Sequence, residues 1–176
     1  MKQYLKTLCL ITAFSASLMA CSGNAHKHKQ HHHDQHSMLS AEEAQAIIEP
    51  LYQMLSGDKS VVDGVRQNYS KNWQSYHSNE DYLGREDVIG FISGPLLDQI
   101  PNLNWEFKEI RVLSDNTVVV RGEATGTMAS DVFLGEKVTA GKSFKIMAID
   151  LHTIKDGKVV TSYHIEDWFG VVQQTR

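Results

Sequence analysis

Between Ala41 and Leu55 the apolar positions Ala44, Ile47, Ile48, Leu51, Tyr52 and Leu55 recur three and four residues apart, which is the spacing of one helical face. Ser40 stands before this stripe with Glu43 three residues on, a capping box in which each side chain satisfies an N–H group that the helix start leaves free. Pro50 lies inside the stripe and predicts a kink, because it brings no N–H and crowds the preceding turn. A shorter helix is expected over Val61 to Tyr69. A third is expected from about Arg85 to Leu97, with Val88, Phe91 and Ile92 facing inward and Pro95 limiting its end. After Pro101 the period changes from helical to alternating. Strands are expected over Leu103 to Leu113, Thr117 to Met128, Lys142 to Ile154 and Lys158 to Trp168. Ser114-Asp115-Asn116 and Asp156-Gly157 supply tight-turn chemistry between neighbouring strands, and Ala129 to Gly141 forms a loop or a broader hairpin. Within the first strand the apolar phase slips between Phe107 and Ile110, which predicts a bulge and a bent sheet.

Helices first and long strands afterwards, over 40–176, predict one α+β domain with helices packed on one face of a strongly curved antiparallel sheet. About 140 residues suffice to bury some 70% of the unfolded surface, so such a domain needs no partner for stability.

The first twenty residues follow a different pattern. Lys2 and Lys6 precede an uncharged run from Thr7 to Ala20, the layout of a secretory signal, and the run is shorter than the roughly 20 residues that span a bilayer. Leu18-Met19-Ala20-Cys21 resembles the lipobox of bacterial lipoproteins. That resemblance implies cleavage before Cys21, a lipid on its sulfur, and a membrane-anchored chain in the cell envelope. Ser22, with no aspartate there, points to the outer membrane of a diderm cell. Cys9 falls in the leader, so no cysteine is left for a disulfide. Loss of Lys2 and Lys6 lowers the 17 basic residues to 15 against 21 acidic ones, a net charge of −6 with histidines neutral, which disfavours a nucleic-acid partner.

From Cys21 to Leu39 the chain is polar, with nothing to build a core, and reads as a flexible spacer. It carries His26, His28, His31, His32, His33 and His36. Imidazoles ligate zinc and copper readily, so the run is either a plain spacer or a metal collector.

Within the domain, period-two alternation places Phe144, Ile146, Ala148, Asp150, His152 and Ile154 on one face of the third strand. An acid and an imidazole thus enter an apolar surface. The same rule places Val159, Thr161, Tyr163, Ile165 and Asp167 together on the last strand, with His164 and Glu166 opposite, solvated or at a dimer contact. A carboxylate among apolar walls has its pKa raised into the range useful for general acid and base work. Asp167 is therefore either an acid–base group or the cap of a closing turn, and His152 is either functional or a satisfied core histidine.

Several strings resemble the SnoaL-like polyketide cyclase and ester cyclase family, within the nuclear transport factor two-like superfamily. Gly84-Arg85-Glu86-Asp87-Val88 is similar to the start of its third helix, and Ile100-Pro101-Asn102-Leu103 to the lead into its long strands. Arg121 with Gly126-Thr127 resembles its central strand. Gly157-Lys158-Val159, then Asp167, Gly170 and Gln174, keep the spacing of its end. The resemblance implies a cone-like sheet with a pocket for small apolar molecules, proton transfer by Asp167 without metal or organic cofactor, and a homodimer. Tyr76 and His77 stand where the resembling proteins carry polar pocket residues, and if the face of Asp150 and His152 lines the cone, either can orient a substrate carbonyl or share a proton with Asp167 while Tyr163 supplies a hydroxyl. Met128, Thr161 and Tyr163 depart from the residues usual at their positions. Three functions remain open: a cyclase, isomerase or dehydratase; a non-catalytic ligand-binding lipoprotein; and an envelope metal-binding protein.

Overall fold

The computed structural model describes residues 38–176. Cys21 and the histidines from His26 to His36 lie outside the described residues. Helix α1 (Ala41–Leu55) opens on the expected capping box: Glu43 N–H donates to the Ser40 hydroxyl at 3.1 Å and Ser40 N–H to the Glu43 carboxylate at 2.9 Å. It runs through Pro50. The carbonyl of Ala46, which would accept the N–H that Pro50 lacks, takes one from the Asn68 side-chain amide at 3.2 Å instead.

A 3₁₀ turn (Lys59–Val61) leads into α2 (Val62–Asn68), and then directly into strand β1 (Tyr69–Tyr76), which pairs with β2 (Tyr82–Leu83). The helical segment expected from about Arg85 to Leu97 opens as α3 (Arg85–Phe91). It widens into a π turn over Ile92–Leu96 and ends in α4 (Leu97–Gln99). Four long strands follow: β3 (Asn104–Val112), β4 (Thr117–Thr127), β7 (Ser143–Lys155) and β8 (Lys158–Glu166). Between β4 and β7 sits a small hairpin, β5 (Val132–Phe133) and β6 (Glu136–Lys137), turning on Leu134-Gly135 with both residues at positive φ. Helix α5 (Trp168–Thr175) closes the chain. Among the described residues no helix is long and apolar enough to cross a membrane.

The main sheet has the order β2-β1-β8-β7-β4-β3. The four long strands pair antiparallel with one another, as expected, and β1, a strand the alternation did not predict, lies parallel to β8. That pairing is possible because the intervening chain is long enough to cross over the sheet. The register slips between Phe107 and Glu109, the bulge expected from sequence.

A second slip was not expected. Thr153 pairs with Thr161 but Ile154 pairs with Val159, so Val160 is an extra residue on β8. Val159 points into the core, and beyond the bulge Ser162, His164 and Glu166 do so, while Tyr163 and Ile165 face out. The single row from Val159 through Tyr163 to Asp167 therefore does not exist, because one inserted residue exchanges the two faces.

Helix α1, with Ile48 and Leu51, and the π turn, with Ile92 and Leu96, contribute buried residues to the core that covers the inner face of the sheet. Gly122 lets Trp105 lie against β4, since a Cβ there would stand 2.7 Å from the indole nitrogen.

Candidate functional site

Alternation along β7 carries Asp150 and His152 into the core, both essentially fully buried. Across the ladder Asp150 faces His164 and His152 faces Ser162. Directly opposed side chains are close enough to bond: His164 Nδ1 lies 2.9 Å from Asp150 Oδ1, and His152 Nδ1 lies 2.7 Å from Ser162 Oγ. Tyr52, buried on α1 against Trp105 and Phe107, donates its hydroxyl to Asp150 Oδ2 at 2.8 Å and lies 2.8 Å from His152 Nε2. From β1, Trp73 Nε1–H donates to Ser162 Oγ at 2.9 Å.

These groups back onto a cavity of about 400 Å³. One wall is polar, formed by Ser75 and His77 at the end of β1 and by His164 and Glu166 on β8. The rest is largely aromatic and aliphatic, including Leu51, Phe91, Trp105 and Trp168, with Phe133 and Leu134 of the β5–β6 hairpin. Leu134 is held at φ 49°, in the left-handed region that glycine, asparagine and aspartate enter readily and a bulky apolar residue enters only at a cost.

His164 is the hinge of the arrangement. Its Nδ1 is engaged by Asp150, its ring stacks on His77 with centroids 4.8 Å apart, and its Nε2 is buried without a partner. Glu166 Oε2 stands 4.0 Å from His77 Nδ1, and His77 Nε2 is 3.4 Å from Ser75 Oγ.

Charge is distributed unevenly. Burial opposes the charge of Asp150, but the hydrogen bond and attraction of His164, with help from His152 and Tyr52, hold its carboxyl below the usual range. Burial, with Asp150's charge adding to it, pushes Glu166 up to about 7. Burial drives His152 down to about 3 and His77 to about 4, the neighbouring His164 lowering each further and Asp150 opposing the shift. Burial, reinforced by Asp150, raises the Tyr52 phenol well above its usual value. Asp150 is thus the carboxylate, Glu166 a carboxylic acid for much of its population at neutral pH, and Tyr52 a donor.

The expected residues separate into three groups. Asp150, His152 and His77 come together as described. Tyr76 and Tyr163 stack on each other on the outer face of the sheet, centroids 5.1 Å apart, and do not line the cavity, Tyr163 being turned out by the bulge at Val160. Asp167 lies beyond the end of β8. Exposed to solvent, it caps α5, accepting the N–H of Gly170 at 2.9 Å, and is absent from the cavity wall. The turn-capping alternative describes its position. His164 and Glu166, assigned to the opposite face, are the polar wall itself. Tyr52, Trp73, Ser75 and Ser162 had no place in the sequence reading, since Tyr52 reads as part of an apolar helix stripe and the others as ordinary strand or loop residues.

Asp150, His164 and Glu166 each offer a ligand atom within 4.8 Å of the other two, a donor set that suits a divalent cation. A cation on Nδ1 of His164 would displace its bond to Asp150.

Residues 52–175 match the family described as SnoaL-like polyketide cyclase. Among solved structures, a protein described as a SnoaL-like polyketide cyclase from Jannaschia sp. CCS1 superposes with a TM-score of 0.66 at 21% identity, covering 77% of this chain and 92% of that one. TsrD from Streptomyces laurentii gives 0.65 at 18%, covering 77% and 96%. IdmH from Streptomyces antibioticus, described as a polyketide cyclase, gives 0.62 at 19%, covering 74% and 96%. At these identities the likeness shows the fold. No curated relative matches the chain.

Proposed function

Since the chain belongs to the SnoaL-like polyketide cyclase family, we propose that its cavity takes a small, uncharged, mostly apolar carbonyl compound and that His164 and Glu166 move protons on it. The carrying observation is the buried, unpartnered Nε2 of His164 on the same strand face as Glu166, whose carboxyl burial in an apolar pocket pushes up to about 7. Neutral His164 accepts a proton from the carbon next to the carbonyl, and Asp150 stabilises the imidazolium that forms. Glu166 donates its proton to the carbonyl oxygen, giving the enol; His164 then delivers the carbon-derived proton to a different atom while Glu166 takes its own proton back from the enol oxygen, which restores both groups. Carboxylic acids kept neutral by apolar surroundings serve as such donors elsewhere. Cyclase, isomerase and dehydratase reactions share this enolisation step, and the reading carries over to each. Asp167 has no part in it.

A direct test is hydrogen–deuterium exchange at the acidic carbon of β-tetralone, a flat bicyclic ketone, followed by NMR in deuterated water. The wild-type chain accelerates exchange, and His164→Gln and Glu166→Gln each lower the acceleration by about 10² to 10⁴-fold. The acid form of Glu166 is the active one, so the acceleration falls as pH rises through about 7. Tetralone that binds without exchange would favour the ligand-binding reading, and equal rates in all three proteins would end the catalytic one.

We also propose a homodimer through the outer sheet face, supported by the exposed apolar row of Met147, Leu151, Tyr163 and Ile165. Lipid attachment at Cys21 in the cell envelope, and zinc or copper binding by the six spacer histidines, are further proposals that rest on sequence alone. Mass spectrometry finding an unmodified Cys21 in native material would remove the first, and unchanged metal affinity after deletion of residues 26–36 the second.

A further inference from the structure

The cavity accounts for one side of His164. On the other side the buried polar groups form an unbranched chain whose two ends permit only one direction of donation. At one end Trp73 Nε1 has a proton and no lone pair, so it donates, to Ser162 Oγ at 2.9 Å. At the other end the Asp150 carboxylate only accepts, from Tyr52 at Oδ2 and from His164 Nδ1 at Oδ1.

The links between follow by elimination. Tyr52 has one proton and gives it to Asp150, so its 2.8 Å contact with His152 Nε2 requires the imidazole to donate. A neutral His152 that carries its proton on Nε2 has a bare Nδ1. Its 2.7 Å contact with Ser162 Oγ then requires the serine hydroxyl to donate, which it is free to do because its oxygen accepts from Trp73. Every donor and acceptor is used once. The opposite tautomer of His152 would leave the serine hydrogen without an acceptor in a fully buried position and set two acceptors, Asp150 and His152, on one Tyr52 proton.

We propose that Trp73, Ser162, His152 and Tyr52 are positioning residues whose one-way hydrogen-bond chain holds Asp150 as a charged acceptor and thereby keeps neutral His164 protonated on Nδ1, so that its unpartnered Nε2 carries the lone pair. This deepens, and rests on, the reading of His164 as the base. Burial that keeps His152 neutral, with its pKa near 3, is consistent with the same direction. The other His164 tautomer would present an N–H to the ligand and accept nothing from it.

The test is spectroscopic and needs no ligand. Long-range ¹H–¹⁵N correlation spectra of the full chain at neutral pH, assigned with His152→Gln and His164→Gln, report which ring nitrogen of each carries the proton. In the wild type we expect His152 on Nε2 and His164 on Nδ1. In Ser162→Ala and Tyr52→Phe the other tautomer of His164 should rise to about a tenth of the population or more, and Ser162→Thr, which keeps the hydroxyl, should restore the wild-type pattern. A wild-type His152 protonated on Nδ1, or a His164 protonated mainly on Nε2, overturns the proposal even if no variant folds. Unchanged His164 signals in folded Ser162→Ala and Tyr52→Phe overturn it as well. Because tetralone exchange is read separately, loss of the chain would leave the acid–base reading standing, and loss of exchange would leave the chain standing.

Discussion

On the inward side of β7 and β8 stand Asp150, His152, Ser162, His164 and Glu166, while on the outward side of the same two strands Met147, Leu151, Tyr163 and Ile165 are 39 to 76% exposed. Folds usually sort side chains the other way, because water solvates charge and rejects hydrocarbon. The inner set is tolerated because Asp150, His152, Ser162 and the His164 Nδ1 bond to one another and to Tyr52 and Trp73, while the His164 Nε2 is buried without a partner. The polar groups of one face are thus held by a hydrogen-bonded network that leaves one buried nitrogen unpaired, and the other face is left with apolar surface to cover. A buried polar network and an exposed apolar row on one ribbon mark two different tasks.

Removing the acceptor at the centre of the inner set should have the largest effect on stability. Asp150→Ala strands the Tyr52 hydroxyl and the His164 Nδ1–H, at about 1–3 kcal/mol for each buried donor left without a partner. Urea unfolding measures it, and a loss below about 1 kcal/mol would show that water enters and replaces the carboxylate. A smaller effect is expected at Asp167, which belongs to neither face. Asp167→Ala removes the cap of α5 and should cost about 0.5–2 kcal/mol, with tetralone exchange unchanged. A tenfold or greater fall in exchange would return Asp167 to the site. Smallest of all should be the effect of Ile165→Lys on the stability of the fold, within about 0.5 kcal/mol, since Ile165 is 76% exposed. Its signature should be in sedimentation, where the wild type runs as a dimer and the variant as a monomer. A monomeric wild type would sink the dimer reading.

Legibility followed range. The α1 cap needs only Ser40 and Glu43, and the four long strands follow from alternation and their turns, so both were readable from neighbouring residues. The bulge at Phe107–Glu109 was readable because apolar and polar positions visibly change phase there. The bulge at Val160 was not. Val159 and Val160 are both apolar, and the outward Tyr163 and Ile165 imitate a core row, so the false phase looked better than the true one. Strand β1 was missed because its serines, lysine, asparagine and glutamine carry no alternation, and its β-form comes from lying beside β8. Asp150 and His152 were found by face and His77 by resemblance. Tyr52 was hidden, because the hydroxyl of a helix-stripe tyrosine acquires a role only once a strand 98 residues away supplies its acceptor.

The extra residue at Val160 also bears on how this strand is to be compared between relatives. Removing one residue there would leave the composition of β8 almost unchanged, yet it would turn Tyr163 and Ile165 into the cavity and put His164 and Glu166 into water. A one-position gap in an alignment of this segment is therefore an exchange of chemistry, and two chains that match residue for residue on either side of such a gap have different pockets.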